Sequence, residues 1–415
     1  MEFQVLKRSH LKRNIIIAVL VVSLISSLIL NFTQAKYRTT ESIPLIQGTI
    51  NYAPYDYKTV AMYLDGEQID SLSDGNYELT SESYCTNEDN EKVESLQLNY
   101  DSASRSLIIT PMDKKGIKCY LYFVEKLCPE GATACNTIIA ASKPQGQTTD
   151  WTGQTTYYYT GNPDNWFQFA GFWWRIIRVN GDGTIRMIYQ GTSANEIDVG
   201  TQIQTSAFNS LNNHNRYVGY MYGSNSSDYN STHNNITSST IKGILDTWYK
   251  NNLEDKYDDK IDGNAGFCGD KEVSSGTGGG TTATNYQPYT RISNSNPSLS
   301  CNKNDIYTID KFEFGNGALK YPIGLISADE AMFAGLPNWK SSNQNNYLYT
   351  GQVYWTISPS RFYYDYAYVL RVDSDGSLYY STVDYTYGVR PVINLRADVQ
   401  LVGSGTTTDP FRLIS

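Results

Sequence analysis

The chain has few of the residues on which most enzyme active sites depend. Only three of its 415 residues are histidine: His10 precedes a long apolar run, and His214 and His233 lie in a polar stretch typical of a loop. No G-x-S-x-G sequence accompanies them, so a Ser-His-Asp or Cys-His nucleophile has little support. We therefore predict that the protein is not an enzyme, has no catalytic residues and uses no cofactor.

Positive charge is also scarce. Charged residues make up 18% of the chain, its formal net charge is −9, and Lys and Arg cluster only near the N-terminus. A protein that binds nucleic acid needs a basic face, so nucleic acid is excluded as a partner. The glycine run 276–280 has no following lysine, as a phosphate-binding loop requires. The stretch 258–263 resembles the start of a calcium loop but has Lys260 at the third ligand position, so no metal site is predicted.

Cysteine is limited to six residues, and no C-x-x-C pair occurs among them. Structural zinc sites usually contain such pairs, which makes zinc unlikely on spacing alone. In an exported chain we expect disulfides. If the host makes none, all six cysteines are free thiols. The expected pairs are Cys85–Cys119, Cys128–Cys135 and Cys268–Cys301.

The N-terminus favours export. Four basic residues between positions 7 and 13 precede the apolar run 15–30, which is followed by Phe32–Ala35, with cleavage expected after Ala35. This is the order of a secretory signal. The run is long for a signal peptide and slightly short for a spanning helix. Residues 1–35 are therefore either a cleaved signal peptide or a signal anchor that contacts the membrane. The remainder is predicted to lie outside the cell, secreted or membrane-anchored at the cell surface.

Residues 43–127 are predicted to form a small β-sandwich that acts as a spacer. Short runs rich in aliphatic and aromatic residues alternate with turn signals at the spacing of an all-β domain. Residues 128–156 turn to Gly, Thr, Gln and Pro and are predicted to be a linker. The predicted strands are centred on Val60–Leu64, Ser95–Tyr100, Ser106–Thr110 and Cys119–Phe123.

Residues 157–415 are predicted to form a loop-rich α+β domain. The aromatic run Phe167–Val179 is strand-like, and apolar residues at helical spacing predict a helix over Ile241–Leu253. Ser327 and Glu330 form a capping box at the start of a second helix. Polar loops are expected over 206–238 and 270–305. The expected core residues are Trp173, Trp174, Ile176, Trp248, Leu325, Trp355, Val389 and Val392.

Tyrosine, by contrast, is abundant, with 35 copies. Many lie in the stretch 360–395, where Tyr, Asp, Ser, Thr and Arg follow no apolar period between the fixed points Ala367–Leu370, the turn Asp373–Gly376 and Val389–Leu395. A surface rich in Tyr and Ser is typical of antibody paratopes. We therefore expect a binding surface here, with Tyr363, Tyr364, Tyr379 and Tyr380 exposed and unimportant for stability.

Several motifs of the second domain resemble one known family. Phe172–Arg175, Ile323–Glu330, Tyr354–Pro359 and Tyr387–Val392 are similar to motifs of the C-type-lectin-like, formylglycine-generating-enzyme-like fold found in exported bacterial and phage proteins. The resemblance covers roughly residues 157–415 and implies that fold. The enzyme members use paired cysteines at their site, whereas this domain has only Cys268 and Cys301. The calcium motifs E-P-N, Q-P-D and W-N-D of animal lectins are also absent, so neither activity carries over.

A subset of that family consists of the variable proteins of diversity-generating retroelements, whose variable segment resembles residues 356–395. There, errors at template adenines turn Asn codons into NNC or NNT, which cannot encode Lys, Glu, Gln, Trp or Met. None of these five occurs in Thr356–Val399, although they form roughly one residue in seven of the chain. The variable, ligand-binding positions so implied are Arg361, Tyr363, Tyr364, Asp365, Tyr366, Arg371, Asp373, Asp375, Ser377, Tyr379, Tyr380, Ser381, Thr382, Asp384 and Tyr385.

The expected ligand is an unknown protein or glycan on another cell or phage. The alternatives are a fixed Tyr-rich β-surface on an invariant structural or adhesive surface protein, and an enzyme of the formylglycine-generating type.

Overall fold

The computed structural model describes residues 57–414, with gaps at 73–76, 102, 103, 105, 112–114, 195 and 196. The predicted signal or anchor segment lies outside these residues. Within the described ranges, no helix is both long and apolar enough to cross a bilayer. The chain divides into two compact units after Lys126. Helices and strands together make it a mixed α+β protein.

The first unit consists of strands, with a five-stranded sheet and a separate hairpin. In the sheet β1 and β7 run parallel, whereas β2, β3 and β4 pair antiparallel with them. Along β7 alternate residues are buried, as expected for a sheet with one face on a core. The hairpin β5–β6 supplies Leu107 and Ile109 to that core. The strands are β1 (Tyr57–Leu64), β2 (Glu67–Ile69), β3 (Tyr77–Leu79), β4 (Tyr84–Thr86), β5 (Gln97–Asp101), β6 (Ser106–Thr110) and β7 (Ile117–Glu125).

The second unit, from Leu127 onward, contains two large sheets and short helices. The helices are α1 (Thr133–Ala141), α2 (Tyr229–His233), α3 (Thr240–Asn252), α4 (Gln287–Ser293) and α5 (Ala328–Phe333). The strands are β8 (Gly146–Thr149), β9 (Thr155–Tyr158), β10 (Trp166–Phe169), β11 (Phe172–Val179), β12 (Ile185–Gly191), β13 (Gln204–Ser206), β14 (Met221–Tyr222), β15 (Thr237–Ser238), β16 (Phe267–Cys268), β17 (Val273–Ser275), β18 (Thr284–Tyr286), β19 (Ile306–Tyr307), β20 (Lys311–Phe312), β21 (Gly315–Asn316), β22 (Tyr354–Tyr363), β23 (Tyr366–Val372), β24 (Leu378–Thr382), β25 (Tyr387–Val389), β26 (Val392–Leu395), β27 (Leu401–Val402) and β28 (Phe411–Leu413).

The order of strands defines the two sheets. The first sheet runs β26-β12-β11-β10-β28-β27, with β9 on β11 and β8 on β9. The second sheet runs β13-β25-β22-β18-β17, and β23 and β24 continue from β22 as an antiparallel meander. Three two-stranded pieces, β14–β15, β16–β19 and β20–β21, complete the unit.

The linker predicted over 128–156 is wrong. That segment contains α1, which buries Ala134, Cys135 and Ile138 in the core of the second unit, and β8, which pairs with β9. The Gly, Thr and Gln residues that suggest a linker lie around these elements. They make the short apolar stripe of α1 hard to recognise in the sequence. The second unit therefore begins near residue 127 rather than 157.

The aromatic run 167–179 is strand-like, as predicted, and it contains two strands. Ala170 and Gly171 both have positive φ, 56° and 80°, and form a tight turn between β10 and β11. Two consecutive positive-φ residues are what a type I′ hairpin turn requires. The glycine adopts this conformation without strain.

Both predicted helices are confirmed. In α3 the Ser239 side chain accepts a hydrogen bond from the Lys242 N–H. In α5 the capping box forms in both directions between Ser327 and Glu330, and Gly335 follows with a φ of 100°. Local hydrogen-bonding rules are sufficient for these ends because the partners lie three residues apart.

The core of the second unit contains most of the predicted residues. Trp173 and Trp248 are only half-buried, and Trp248 packs at the edge of the core against Phe172, Trp174 and Tyr189. The predicted residues that are fully buried are Trp174, Ile176, Leu325, Trp355, Val389 and Val392.

The structure pairs the cysteines as Cys85–Cys119, Cys128–Cys135 and Cys268–Cys301. These are the same pairs that the sequence suggests. Three disulfides indicate an oxidising environment. The first joins β4 to β7, and the second holds the segment before α1 against that helix.

A buried ionic cluster lies between the first sheet and α5. The Glu330 carboxylate contacts the guanidinium groups of Arg178, at 3.1 Å, and Arg186, and all three side chains are almost completely buried. It also accepts the Ser327 backbone N–H at 2.8 Å. Burial alone would raise the pKa of Glu330, but the two arginines and this N–H lower it below its usual value. Glu330 therefore remains charged.

We expect Glu330→Gln to destabilise the second unit strongly, because it leaves two buried arginines without a counter-charge. Removing one partner of a buried pair costs about 3–5 kcal/mol. All seven tryptophans lie in this unit, so denaturant unfolding followed by tryptophan fluorescence measures it selectively. Glu313→Gln, at an exposed site, is the matched control and should change stability by no more than about 0.5 kcal/mol. Equal midpoints for the two variants would contradict a central role for the cluster.

Candidate ligand-binding surface

The segment singled out by its tyrosines forms the meander β22–β23–β24. Tyr364 and Asp365 are the turn between the first two strands, with φ of 47° and 65°. Ala367, Val369 and Leu370 are fully buried beneath it. The meander therefore has one set of side chains fixed in the core and another available to solvent.

The fifteen predicted positions divide by exposure. Ser377 is buried, with an exposure of 3%, because it closes the turn that begins at Asp373, whose N–H donates to the Ser377 carbonyl. It cannot belong to an exposed surface, and this prediction is wrong. The exposed positions are Tyr363, Tyr364, Asp365, Tyr366, Asp375, Asp384 and Tyr385. The half-buried positions are Arg361, Arg371, Asp373, Tyr379, Tyr380, Ser381 and Thr382.

The exposed tyrosines are the most prominent feature. Tyr363, Tyr364, Tyr366 and Tyr385 are 41%, 76%, 47% and 58% exposed. We call these four residues the tyrosine face. Large aromatic side chains usually bury most of their area, so the exposure of three on the meander and one just after it requires an explanation other than packing.

Arg361 lies against several aromatic rings. Its guanidinium carbon is 4.1 Å from the ring centre of Tyr380, and 5.2, 5.3 and 5.4 Å from those of Tyr289, Tyr363 and Tyr368. Each of these contacts is a cation–π geometry. Arg361 is thus held in place by rings from three different parts of the chain.

A second set of rings supports these. Tyr379 and Tyr380 stack at 4.7 Å, and the Trp339 ring meets both at 6.0 and 5.8 Å. Tyr289 stacks on Trp339 at 5.9 Å. We call Tyr289, Trp339, Tyr368, Tyr379 and Tyr380 the aromatic cluster. Tyr379 and Tyr380 are therefore not the free, exposed side chains that the sequence predicts.

Three members of this cluster escape sequence reasoning. Tyr368 alternates with the buried Ala367 and Val369, so strand periodicity could have identified it as outward-facing. Tyr289 comes from α4 and Trp339 from the loop after α5. They reach the meander only through tertiary packing, and no local pattern marks them.

Arg371, the second arginine of the meander, forms an ion pair with an acidic side chain. Its Nη1 lies 2.9 Å from Asp373 Oδ2, and its Nε donates to Ser381 Oγ at 2.8 Å. Burial would raise the pKa of Asp373, but Arg371 lowers it below its usual value. The charge of Arg371 is therefore already balanced by the protein.

The surface continues beyond the predicted segment. The stretch 209–212 runs beside the meander, where Asn209 N–H donates to the Val383 carbonyl and Ala367 N–H to the Asn212 carbonyl. Leu211, within this stretch, is 55% exposed. Sequence reasoning placed it in a polar loop and gave no reason to associate it with the tyrosines.

The two loop histidines are buried rather than available for chemistry. His233 Nε2 lies 2.8 Å from the Gly278 carbonyl, which requires Nε2 to donate, and its Nδ1 has no hydrogen-bond partner. Burial, together with the charge of Lys271, lowers the pKa of His233 to about 3. His214 is also buried, and its Nδ1 accepts the Arg216 N–H.

In the stretch 258–263, which resembles the start of a calcium loop, the first acidic residue has protein partners. Asp258 accepts hydrogen bonds from the Asp255 N–H and the Tyr249 hydroxyl. Across the described residues, no three His, Cys, Asp or Glu side chains are grouped closely enough to hold a metal ion.

No family model, curated protein or solved structure matches this chain. A single fold can support many functions, so function has to be inferred from a site. Here the inference rests on the side chains that the meander exposes.

Acidification should weaken the folded state through His233. The unfolded histidine takes up a proton near pH 6.5, whereas the folded one does so only near pH 3. Stability therefore falls as pH decreases through this window. His233→Gln retains a donor toward Gly278 and cannot be protonated, so its stability should decline less between pH 6.5 and 3.

Tryptophan-monitored urea unfolding at several pH values measures this slope. Asp270, whose pKa burial raises to about 6, titrates in the same range with the opposite sign. The quantity to compare is therefore the difference between wild type and variant. Parallel curves for the two proteins would show that His233 does not titrate as the geometry requires.

Two tyrosine substitutions on the same meander should differ in stability. Tyr364→Ser removes an exposed side chain and should shift the unfolding free energy by no more than about 0.5 kcal/mol. Tyr380→Ser removes ring contacts to Arg361, Tyr289 and Trp339 and should cost about 1–3 kcal/mol. Thermal and urea unfolding of both variants check this. Similar losses for both would mean that the tip of the meander is packed.

Proposed function

We propose that the second unit is a ligand-binding module that binds through the tyrosine face. The observation that carries this proposal is the exposure of four tyrosines on and beside a meander that is anchored by the fully buried Ala367, Val369 and Leu370. Tyrosine provides a large, rigid, amphipathic contact at low entropic cost, and its hydroxyl can donate or accept a hydrogen bond. Asp365 and Asp384, also exposed, add polar specificity.

The support beneath the surface favours preorganised binding. Ala367, Val369 and Leu370 anchor β23 in the core, and the aromatic cluster fixes the side of the meander that carries Arg361. A surface already held in its bound form loses less freedom when a ligand binds. This is the arrangement expected for a receptor rather than for a surface that orders only on contact.

We further propose that the surface is the diversified segment of a retroelement variable protein with a C-type-lectin-like fold. The absence of five residue types from Thr356–Val399 supports this. So does the fact that all implied positions except Ser377 are at least partly exposed. A reverse transcriptase gene and an adenine-rich near-copy of the segment beside the gene would support diversification. Their absence would favour a fixed Tyr-rich surface on a structural or adhesive protein.

Display outside the cell completes the proposal. The three disulfides suit an oxidising compartment, and the basic-apolar N-terminus suits export. In this arrangement the first unit is a spacer, and the ligand is a protein or glycan on another cell or phage.

The tyrosine face can be tested on glycan and peptide arrays with the full-length protein. The variant Tyr363→Ser, Tyr364→Ser, Tyr366→Ser, Tyr385→Ser should lose array signals at least about tenfold while its unfolding midpoint changes little. The control Ile108→Ser, Phe312→Ser removes exposed apolar side chains elsewhere and should bind as wild type does. Signals that survive in the quadruple variant would place binding on another surface.

A further inference from the structure

We propose that Arg361 is an anion-binding residue, and that the ligand presents a carboxylate, sulfate or phosphate group to it. This inference rests on the proposed function, because it assigns the chemistry of one part of the same surface. It concerns the charge of the ligand, which the tyrosine face alone does not specify.

Arg361 differs from every other arginine that the structure describes. The others each form a hydrogen bond or an ion pair with a carbonyl, amide, hydroxyl or carboxylate of the protein. Arg396 and Arg412, for instance, pair with Asp398 and Asp409 even though both pairs are exposed. Arg361 has neither an ion pair nor a hydrogen bond to any described residue, and its Nε is shielded from solvent without a partner. No described side chain balances the charge of Arg361, so this arrangement favours an anionic partner from outside.

The rings around Arg361 do not take the place of that acceptor. Cation–π contacts hold a guanidinium near the ring, but an aromatic ring supplies no oxygen acceptor and no negative charge to its N–H groups. Tyr380, Tyr289, Tyr363 and Tyr368 hold the group from several directions at 4.1–5.4 Å. The two Nη atoms, unlike Nε, are not among the shielded unpaired atoms. The two Nη atoms are therefore the accessible end of a guanidinium fork that the surrounding rings hold in place.

A fixed guanidinium fork matches an oxyanion. Carboxylates and phosphates accept two parallel N–H bonds from arginine, and such charge-assisted bonds are about twice as strong as neutral ones. Tyr363, which is both exposed and in contact with Arg361, can cover the flat or ring-shaped part of the ligand that carries the anion. Arg371 cannot serve equally well, because Asp373 and Ser381 already occupy its donors.

Because the chain is negatively charged overall, an anion should bind at Arg361 itself rather than to the surface in general. With a formal net charge of −9, the protein repels anions at long range. Anion affinity must then come from a local site whose bonds are short, and it should be saturable rather than a general screening effect.

The first experiment detects the anion directly. Full-length protein with ¹⁵N-labelled arginine is titrated with sodium acetate, sulfate or phosphate, with sodium chloride at matched ionic strength as the control. The Nε–Hε resonance of Arg361 is assigned by its loss in Arg361→Gln. We expect a saturable shift of that resonance with at least one oxyanion and none with chloride. A linear drift shared with Arg396 and Arg412 would overturn the proposal.

The second experiment separates this inference from the proposed function. The arrays hold matched anionic and neutral probes. The binding signal of Arg361→Gln on the anionic probes should fall at least about tenfold, and Arg361→Lys should retain part of that signal. Arg396→Gln, at an exposed pair, should behave as wild type. If Arg361→Gln binds anionic probes normally while the quadruple tyrosine variant does not, the anion site is wrong and the proposed function stands. If the quadruple tyrosine variant keeps full binding to anionic probes while Arg361→Gln loses it, the anion site stands and the tyrosine face is wrong.

Discussion

The second unit depends on the buried contact between Glu330 and two arginines of the first sheet. Arg178 comes from β11 and Arg186 from β12, so one carboxylate fixes α5 against that sheet. The same helix reaches the second sheet, because the Ala328 N–H donates to Ser358 Oγ on β22 at 2.9 Å. A single buried charge thus fixes the helix that contacts the strand from which the meander begins. Such a charge is costly unless fully compensated, and here two cations and a capping N–H compensate it.

Sequence reasoning succeeded where the determinants are local. The capping box at Ser327 and Glu330 and the apolar spacing of α3 both depend on residues within one or two turns. It failed where tertiary packing decides. The short stripe of α1 was hidden by polar neighbours, and the hairpin turn at Ala170 and Gly171 lay within a continuous aromatic run. The same sequence indicated which segment is rich in tyrosine but not that Glu330, beyond capping its helix, pairs with two arginines of the first sheet.

The candidate surface also has a part that the sequence predicts and a part that only tertiary packing determines. Composition indicated the tyrosines. Tyr363, Tyr364 and Tyr366 are exposed at the tip of the β22–β23 hairpin, and Tyr385 is exposed between β24 and β25. The roles of Tyr289 and Trp339 could not be predicted, because both come from elements distant in the chain. As a result, positions that looked equivalent in sequence are not equivalent in the structure. Tyr380 supports Arg361, Ser377 closes a turn, and Tyr364 contacts little besides its neighbour Tyr363.

The left-handed backbone at Tyr364 and Asp365 restricts which sequences this hairpin tip can explore. Their φ values of 47° and 65° suit Gly, Asn and Asp, and strongly disfavour Val, Ile and Thr, whose branched Cβ meets the backbone there. A codon randomised at its first two bases would still sample all of these residues. Folding would then remove the branched ones before any ligand is encountered. If the segment is diversified, the residues that can occupy the tip of the hairpin would therefore be fewer than those its codons can encode, and backbone sterics rather than selection for binding would set that limit.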